Sequence, residues 1–297
     1  PGEQISVTLT PNIKSTSGDD LKAPYYFSFI SIIPSGTGIF HSNSDYKTGN
    51  GPNSAYSSDL DNDGDNDIII TNSHSNNLSI LFNNNKGGFN ESVNYSVGDY
   101  PTSVSSSDFD KDGYLDLVAV NKNSNDITVL FNDGNGNFYN KTNYAVGDYP
   151  QSFKFTDVDN DGYEDIIVAN MNSDNISILK NNSDGTFVSK NDYPAGLDPI
   201  SVCTADLNND GNIDIGVANY SYNDPAITIL YNDGDANFTE KYKYYAGNLP
   251  NSIDCADFDN DNDVDLVSAS RYYDKKVTVL FNDGKGIFDN KEDYTFE

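Results

Sequence analysis

One nine-residue pattern, written five times, constrains this chain more than any other feature of it. Its copies span residues 59–67, 108–116, 157–165, 206–214 and 257–265. Oxygen-bearing side chains stand at positions 1, 3, 5 and 9 of each: Asp59, Asp61, Asp63 and Asp67; Asp108, Asp110, Asp112 and Asp116; Asp157, Asp159, Asp161 and Asp165; Asp206, Asn208, Asp210 and Asp214; Asp257, Asp259, Asp261 and Asp265. Calcium takes about 6–8 oxygen ligands, and alternating acids in a tight turn supply most of them. Position 6 is glycine in four copies and Asn262 in the fifth, the residue types that best tolerate the positive φ of a chain wrapping an ion. Position 7 varies among Asp65, Tyr114, Tyr163, Asn212 and Asp263, which points to its backbone carbonyl as the ligand. Acidic turns without metal are the plain alternative. Carboxylates converging five times in one register would repel one another without a cation. We therefore expect five bound calcium ions.

The loops set a period. They begin at residues 59, 108, 157, 206 and 257, so three intervals are 49 residues and the last is 51. Phe40, Phe89, Phe138, Phe187, Phe238 and Phe288 keep this period, as do Tyr46, Tyr95, Tyr144, Tyr193, Tyr244 and Tyr294. Gly49, Gly98, Gly147, Gly196 and Gly247 each precede a proline by three residues. The aromatic series have six members and the loops five, so the first unit is expected to lack a calcium site. There the loop position reads Thr10-Pro11-Asn12-Ile13-Lys14, with no acid.

Within a unit the pattern is four short strands. Residues 102–109 lead into the loop as strand A. Strand B carries Leu117-Val118-Ala119-Val120, apolar on both faces and hence buried on both. Strand C alternates around Ile127 and Val129, and the turn Asn132-Asp133-Gly134-Asn135-Gly136 leads to a more polar strand D. No helical periodicity occurs. A four-stranded unit of this length, repeated six times, is the mark of an all-β protein, a β-propeller with six blades of four antiparallel strands. Seven blades is the runner-up. A linear β-solenoid has shorter coils. The expected blades are about 1–52, 53–101, 102–150, 151–199, 200–250 and 251–297, one propeller domain.

These residues resemble the FG-GAP/VCBS repeat shared by integrin α-subunit propellers and many microbial surface proteins. The resemblance rests on Asp-x-Asp-x-Asp-Gly-x-x-Asp, an apolar strand, and Leu-Phe-Asn-Asp-Gly-x-Gly-x-Phe. It is strong over residues 53–297 and weak over 1–52. It implies calcium between strands A and B on one rim, with ligand binding on the opposite rim. Six apparent blades instead of seven, the missing first site and Asn262 are departures. An EF-hand would need glutamate at position 12, where Ile70, Ala119, Val168, Val217 and Ser268 stand.

Recognition is expected on the rim away from the loops, where B–C and D–A connections diverge. Candidate ligand-binding residues are His74, Asp99, Tyr100, Asp148, Tyr149, Asp198, Tyr220, Tyr222, Arg271, Tyr272 and Tyr273. Tyrosines beside acids and amides suit sugars, because rings stack on apolar faces while polar groups bond hydroxyls. Ordinary polar turns are the competing reading. The first expectation is an adhesion or recognition module for a glycan or extracellular protein, within a larger surface protein. A polysaccharide lyase or hydrolase comes second, using Asp99, Asp148 and Asp198. A spacer without a ligand comes third. No catalytic residue is assigned, because the other acids belong to the loops and no Ser/His/Asp pattern occurs.

Composition narrows the partners. Against 46 Asp and Glu the chain has 17 Lys and Arg, a net charge of −29, which argues against nucleic acid. No apolar run reaches membrane-spanning length, so no membrane insertion is expected. The chain starts at Pro1 without a signal peptide, as a processed or excised chain would. Numerous calcium sites suit an extracellular or cell-surface location. Cys203 and Cys255 sit at different offsets from their loops, which favours two buried thiols over a disulfide.

Overall fold

The computed structural model describes residues 3–9, 25–31, 45–84, 86, 88–222, 226–270 and 275–295. The chain divides into two compact units, Pro1–Asp45 and Tyr46–Glu297. In the first, β1 (Glu3–Leu9) pairs antiparallel with β2 (Tyr25–Ser31). The second holds five four-stranded antiparallel sheets, each a meander in sequence order. They are β3 (Pro52–Ser58), β4 (Asp67–Asn72), β5 (Asn77–Leu81) and β6 (Val93–Ser96); β7 (Pro101–Ser107), β8 (Asp116–Asn121), β9 (Asp126–Asn132) and β10 (Phe138–Ala145); β11 (Pro150–Thr156), β12 (Asp165–Asn170), β13 (Asn175–Leu179) and β14 (Asn191–Pro194); β15 (Pro199–Ala205), β16 (Asp214–Asn219), β17 (Ala226–Asn232) and β18 (Phe238–Tyr245); and β19 (Pro250–Ala256), β20 (Asp265–Ser270), β21 (Lys276–Phe281) and β22 (Asn290–Thr295).

The sequence predicts six such sheets and the described residues hold five. In the first repeat they form a two-stranded sheet, and residues 10–24 and 32–44 lie outside them. The fold is all-β. Among the described residues no helix is long and apolar enough to cross a membrane.

The second strands of the three inner sheets are buried on both faces, as their unbroken apolar runs require, β8, β12 and β16 at every residue; β4 and β20, in the two outer sheets, are partly open. Fourth strands face solvent, and β22 is exposed along its whole length. First strands of neighbouring sheets lie side by side, β3 on β7 and β15 on β19. Four apolar cores fill the four seams between successive sheets. The seam of sheets one and two, for example, holds Leu60, Ile69 and Leu78 against Val104, Leu117 and Leu130. Each fully buried side chain of this kind contributes about 1.5–3 kcal/mol.

The two aromatic series lock these four seams through four of their pairs, and a fifth, Tyr46–Phe89, packs on the first four-stranded sheet. Each tyrosine meets the phenylalanine of the following repeat edge-on: Tyr46–Phe89, Tyr95–Phe138, Tyr144–Phe187, Tyr193–Phe238 and Tyr244–Phe288, with ring centroids 5.3–5.5 Å apart. Such pairs add about 0.5–1.5 kcal/mol beyond their burial. The proline closing each D–A connection marks a one-residue register shift in all five sheets, as at Pro101/Ser103 and Pro250/Ser252.

Candidate metal loops and the opposite rim

Each acidic loop joins a first strand to a second, and its own side chains shape it. The position 1 carboxylate caps the turn. Asp157 accepts from the Asp161 and Gly162 amides at 3.1 and 2.7 Å, and Asp206 does the same for Asp210 and Gly211 at 3.1 and 2.9 Å. The position 5 carboxylate accepts from the position 7 amide, as Asp112 does from Tyr114 at 2.9 Å. Gly113 has φ +93°, yet a Cβ there would meet nothing within 4 Å. Glycine is needed for that backbone angle and not for space. Asn262 takes the same role at φ 76°.

The position 9 aspartates are buried anchors. Asp116, 1% exposed, accepts from the Phe109 amide at 3.3 Å with one oxygen and from the Asn132 amide at 3.0 Å with the other. Asp67, Asp165, Asp214 and Asp265 repeat this geometry, tying the loop to the end of the third strand. Burial raises the carboxyl of Asp116 to about 7, Asp165 to about 6 and Asp214 to about 7. Asp61 and Asp110 are raised as well, by burial first and then by neighbouring acids.

A residue type missed in the sequence connects loop to loop. In the last four Leu-Phe-Asn-Asp-Gly-like stretches the asparagine donates its amide to the position 2 carbonyl of the preceding loop: Asn132 to Leu60 at 2.8 Å, Asn181 to Phe109 at 2.9 Å, Asn232 to Val158 at 2.7 Å and Asn282 to Leu207 at 2.8 Å. The same amide reaches the position 8 carbonyl of its own loop, and its oxygen accepts from the following glycine. Read as a turn residue, it is a staple across the seam. Its period was the available signal.

Three carboxylates come within 4.8 Å of one another in four loops: Asp59, Asp61 and Asp67; Asp108, Asp110 and Asp112; Asp157, Asp159 and Asp165; Asp257, Asp259 and Asp265. These clusters can hold metal ions. Asp61 Oδ1 and Asp108 Oδ1 are buried without a hydrogen-bond partner, as oxygens left for a cation would be. An all-oxygen donor set fits a hard cation of the calcium or magnesium class. The fourth loop builds no such triad among the described residues. Asn208 brings an amide there, hydrogen-bonded to Asp210 at 3.0 Å. At position 7, Tyr114 packs over Gly134 of its own C–D turn, and Tyr163 lies under the Lys111 ammonium, 3.9 Å from its ring centre. Both turns therefore share this rim.

Loop three differs in one respect. The Lys180 ammonium lies 2.5 Å from Asp159 Oδ2, and that bond raises the lysine pKa. Equivalent positions carry Phe82, Phe131, Tyr231 and Phe281. Phe82 and Phe131 cover Gly136 and Gly185 of the next sheet so closely that a Cβ would fall 2.4 and 2.5 Å from the ring. Beyond Lys180 the corresponding residue is Ala236, 4% exposed. Without a ring above it the methyl fits, and the lysine turns to the acid.

On the opposite rim, D–A connections are sewn to the next B–C turn. The Lys122 and Asn123 amides donate to the Tyr100 and Asp99 carbonyls, Met171 and Asn172 repeat this on Tyr149 and Asp148, and Tyr220 donates to the Asp198 carbonyl. Tyr100, Tyr149 and Asp198 take φ of 59°, 60° and 54°, with their amides held by Asn76, Asn125 and Asp174. Burial raises the Asp198 carboxyl. Asp99 and Asp148 are exposed, and Asp148 accepts from Asn125 at 2.9 Å. Tyr222 is 61% exposed.

The structure links three of these residues, His74, Tyr100 and Tyr149, by way of Lys122. His74 and Tyr100 have ring centres 6.0 Å apart, Lys122 follows Tyr100 through its amide, and the Lys122 ammonium lies 3.9 Å from the Tyr149 ring centre. Lys122 was not singled out by the sequence. Arg271, Tyr272 and Tyr273 lie outside the described residues.

The FG-GAP-like repeat matches at residues 59–119, 108–168, 157–217 and 207–268, most of the chain. No curated protein is detectably similar in sequence. Among solved structures, a protein from Lactobacillus plantarum aligns at a TM-score of 0.60 with 15% identity, over 81% of this chain and 70% of that one. BBS1N, crystallised in complex with ARL6DN, aligns at 0.55 with 12% identity, over 84% of this chain and 69% of that one. The V. cholerae biofilm matrix protein Bap1 aligns at 0.50 with 17% identity; the match covers 84% of this chain and 40% of Bap1. At these identities the likeness is one of fold.

Proposed function

The chain belongs to the FG-GAP-like repeat family, and on that premise we propose that it is a calcium-stabilised recognition module of an extracellular or cell-surface protein, binding a glycan or protein ligand on the rim opposite its acidic loops. In this reading each of the five loops holds one calcium ion. Asp59, Asp61, Asp63 and Asp67 and their counterparts supply side-chain oxygens, and the position 7 residue supplies a carbonyl. The bound ion would neutralise clustered acids and hold the turn that each asparagine staple grips. Binding to the folded state alone stabilises it by mass action.

The observation that carries the ligand reading is the row His74, Tyr100, Lys122 and Tyr149. Rings and an ammonium side by side give a hydroxyl-rich sugar both a stacking face and a donor. The module binds and does not turn over its ligand in this reading, since its clustered acids are engaged in the loops.

A binding screen of glycans and matrix proteins in millimolar calcium tests the ligand reading. A hit lost in Tyr149→Ala, with calcium-dependent melting unchanged, is the expected result. A hit that both Tyr149→Ala and Tyr100→Ala retain would overturn the rim assignment.

A further inference from the structure

We propose that Cys203 and Cys255 are a disulfide-forming pair that cross-links the neighbouring first strands β15 and β19. Their unequal offsets from the acidic loops, three residues before Asp206 and two before Asp257, are what such a pair requires. Successive residues of a strand point to opposite faces. Equivalent positions in neighbouring sheets therefore point the same way, and residues facing each other across a seam differ by one. The apolar cores obey this rule. Tyr56, three before its loop, faces the following sheet, while Phe155, two before, and Val202, four before, face the preceding one. Cys203 accordingly points forward and Cys255 back, into one core shared with Ile253 and Leu266.

Local contacts agree. The Ile253 amide lies 3.3 Å from Ser201 Oγ, and two residues further along both strands are the cysteines. Cys255 Sγ lies 3.5 Å from the carbonyl oxygen of Thr204, the residue after Cys203. The two thiols perturb each other, Cys203 being raised and Cys255 lowered by their interaction. Gly216, paired with Cys203 across the sheet, makes room: a Cβ there would fall 2.8 Å from the Cys203 sulfur. The other sheets place Ile69, Val118, Ile167 and Val267 at that position.

Cys255 is half-buried and Cys203 is 1% exposed, which sets the order of events. The Cys255 thiolate attacks a small-molecule disulfide, forms a mixed disulfide and releases one thiolate. Cys203, giving up its proton, then attacks the Cys255 sulfur and expels the second small-molecule thiol. Two protein thiols are oxidised and one disulfide is reduced to two thiols. The bond closes a loop of about 50 residues, and loops of that size raise stability by restricting the unfolded chain.

The test is to incubate the folded full chain in calcium with glutathione disulfide. The expected product is monomeric, has no titratable thiol after denaturation, has lost two hydrogens in mass, and yields a peptide joining the two cysteines. It melts higher than the reduced chain, and Cys203→Ser stops at a glutathione adduct on Cys255. A persistent adduct on Cys255 in the unaltered chain, a disulfide-linked dimer, or thiols that survive conditions oxidising the urea-unfolded chain would each overturn the pairing.

Discussion

Loops two and three carry the same four acids at the same four positions, but among the described residues only loop three has an ammonium on one of them. In loop two, Asp108, Asp110 and Asp112 converge with no ammonium on them, and the neighbouring Phe131 ring covers Gly185. In loop three, Asp157, Asp159 and Asp165 converge just as closely, but Lys180 stands where Phe131 does and sits on Asp159. In the proposed reading, metal affinity depends partly on Lys180, the residue that follows the third strand. A loop motif alone does not rank its sites. A calcium ion entering loop three must displace an ammonium from one of its ligands, and one entering loop two need not.

The largest test of this contrast removes the metal from both. Chelation should lower the melting temperature sharply and reversibly, because each site held at about 100 times its Kd contributes about 2.7 kcal/mol. Unchanged melting on a calorimeter would refute structural calcium in either loop. Next in size is Asp116→Ala. It strips the Phe109 and Asn132 amides of their buried acceptor, at about 1–3 kcal/mol each, and urea unfolding should show a loss of about 3 kcal/mol. Asp112→Ala should cost far less without calcium, since its carboxylate is exposed.

Lys180→Met addresses the difference itself. It should raise calcium affinity at loop three roughly tenfold, about 1.4 kcal/mol, and leave loop two unchanged. Terbium luminescence would read this through Tyr163, and equal affinity before and after would remove Lys180 from the account. The smallest effect is on pH dependence. Asp116 and Asp165 have folded pKa values of about 7 and about 6, above the ordinary 3.8. The metal-free folded chain therefore binds more protons than the unfolded chain, and its stability falls as pH rises from 3.8 through the folded values. Going from about pH 8 to about pH 5 should stabilise the metal-free protein and destabilise the calcium-loaded one, where protons compete for the ligands. The same sign in both would contradict the assignment of these acids.

Much of this molecule was readable as period and pattern. The apolar run Leu117-Val118-Ala119-Val120 gave a doubly buried strand because burial on both faces leaves no alternation to lose. The Tyr and Phe series marked contacts between neighbours, since a fixed period places equivalent side chains at equivalent seams. Three things escaped. Asn132 and its counterparts looked like turn residues, because their partner lies 72 residues back in another loop. Lys180 drew no notice in the sequence, because its effect depends on the missing ring above Ala236. Cys203 and Cys255 were read as two thiols, and both are free here, but their shared core escaped because face parity between sheets is a property of packing and is invisible in spacing alone. The opposite rim was located by its divergence from repeat to repeat, yet Lys122 joined its row only through geometry.

Counting the calcium ions on the intact chain by native mass spectrometry, as free calcium is lowered, tests the account most directly. The account predicts five ions when loaded. Two leave first, from loop three with its Lys180 and loop four with its Asn208, and three are retained longer. A chain that carries no calcium at millimolar concentration, or that releases all five together while Lys180→Met behaves identically, would contradict it.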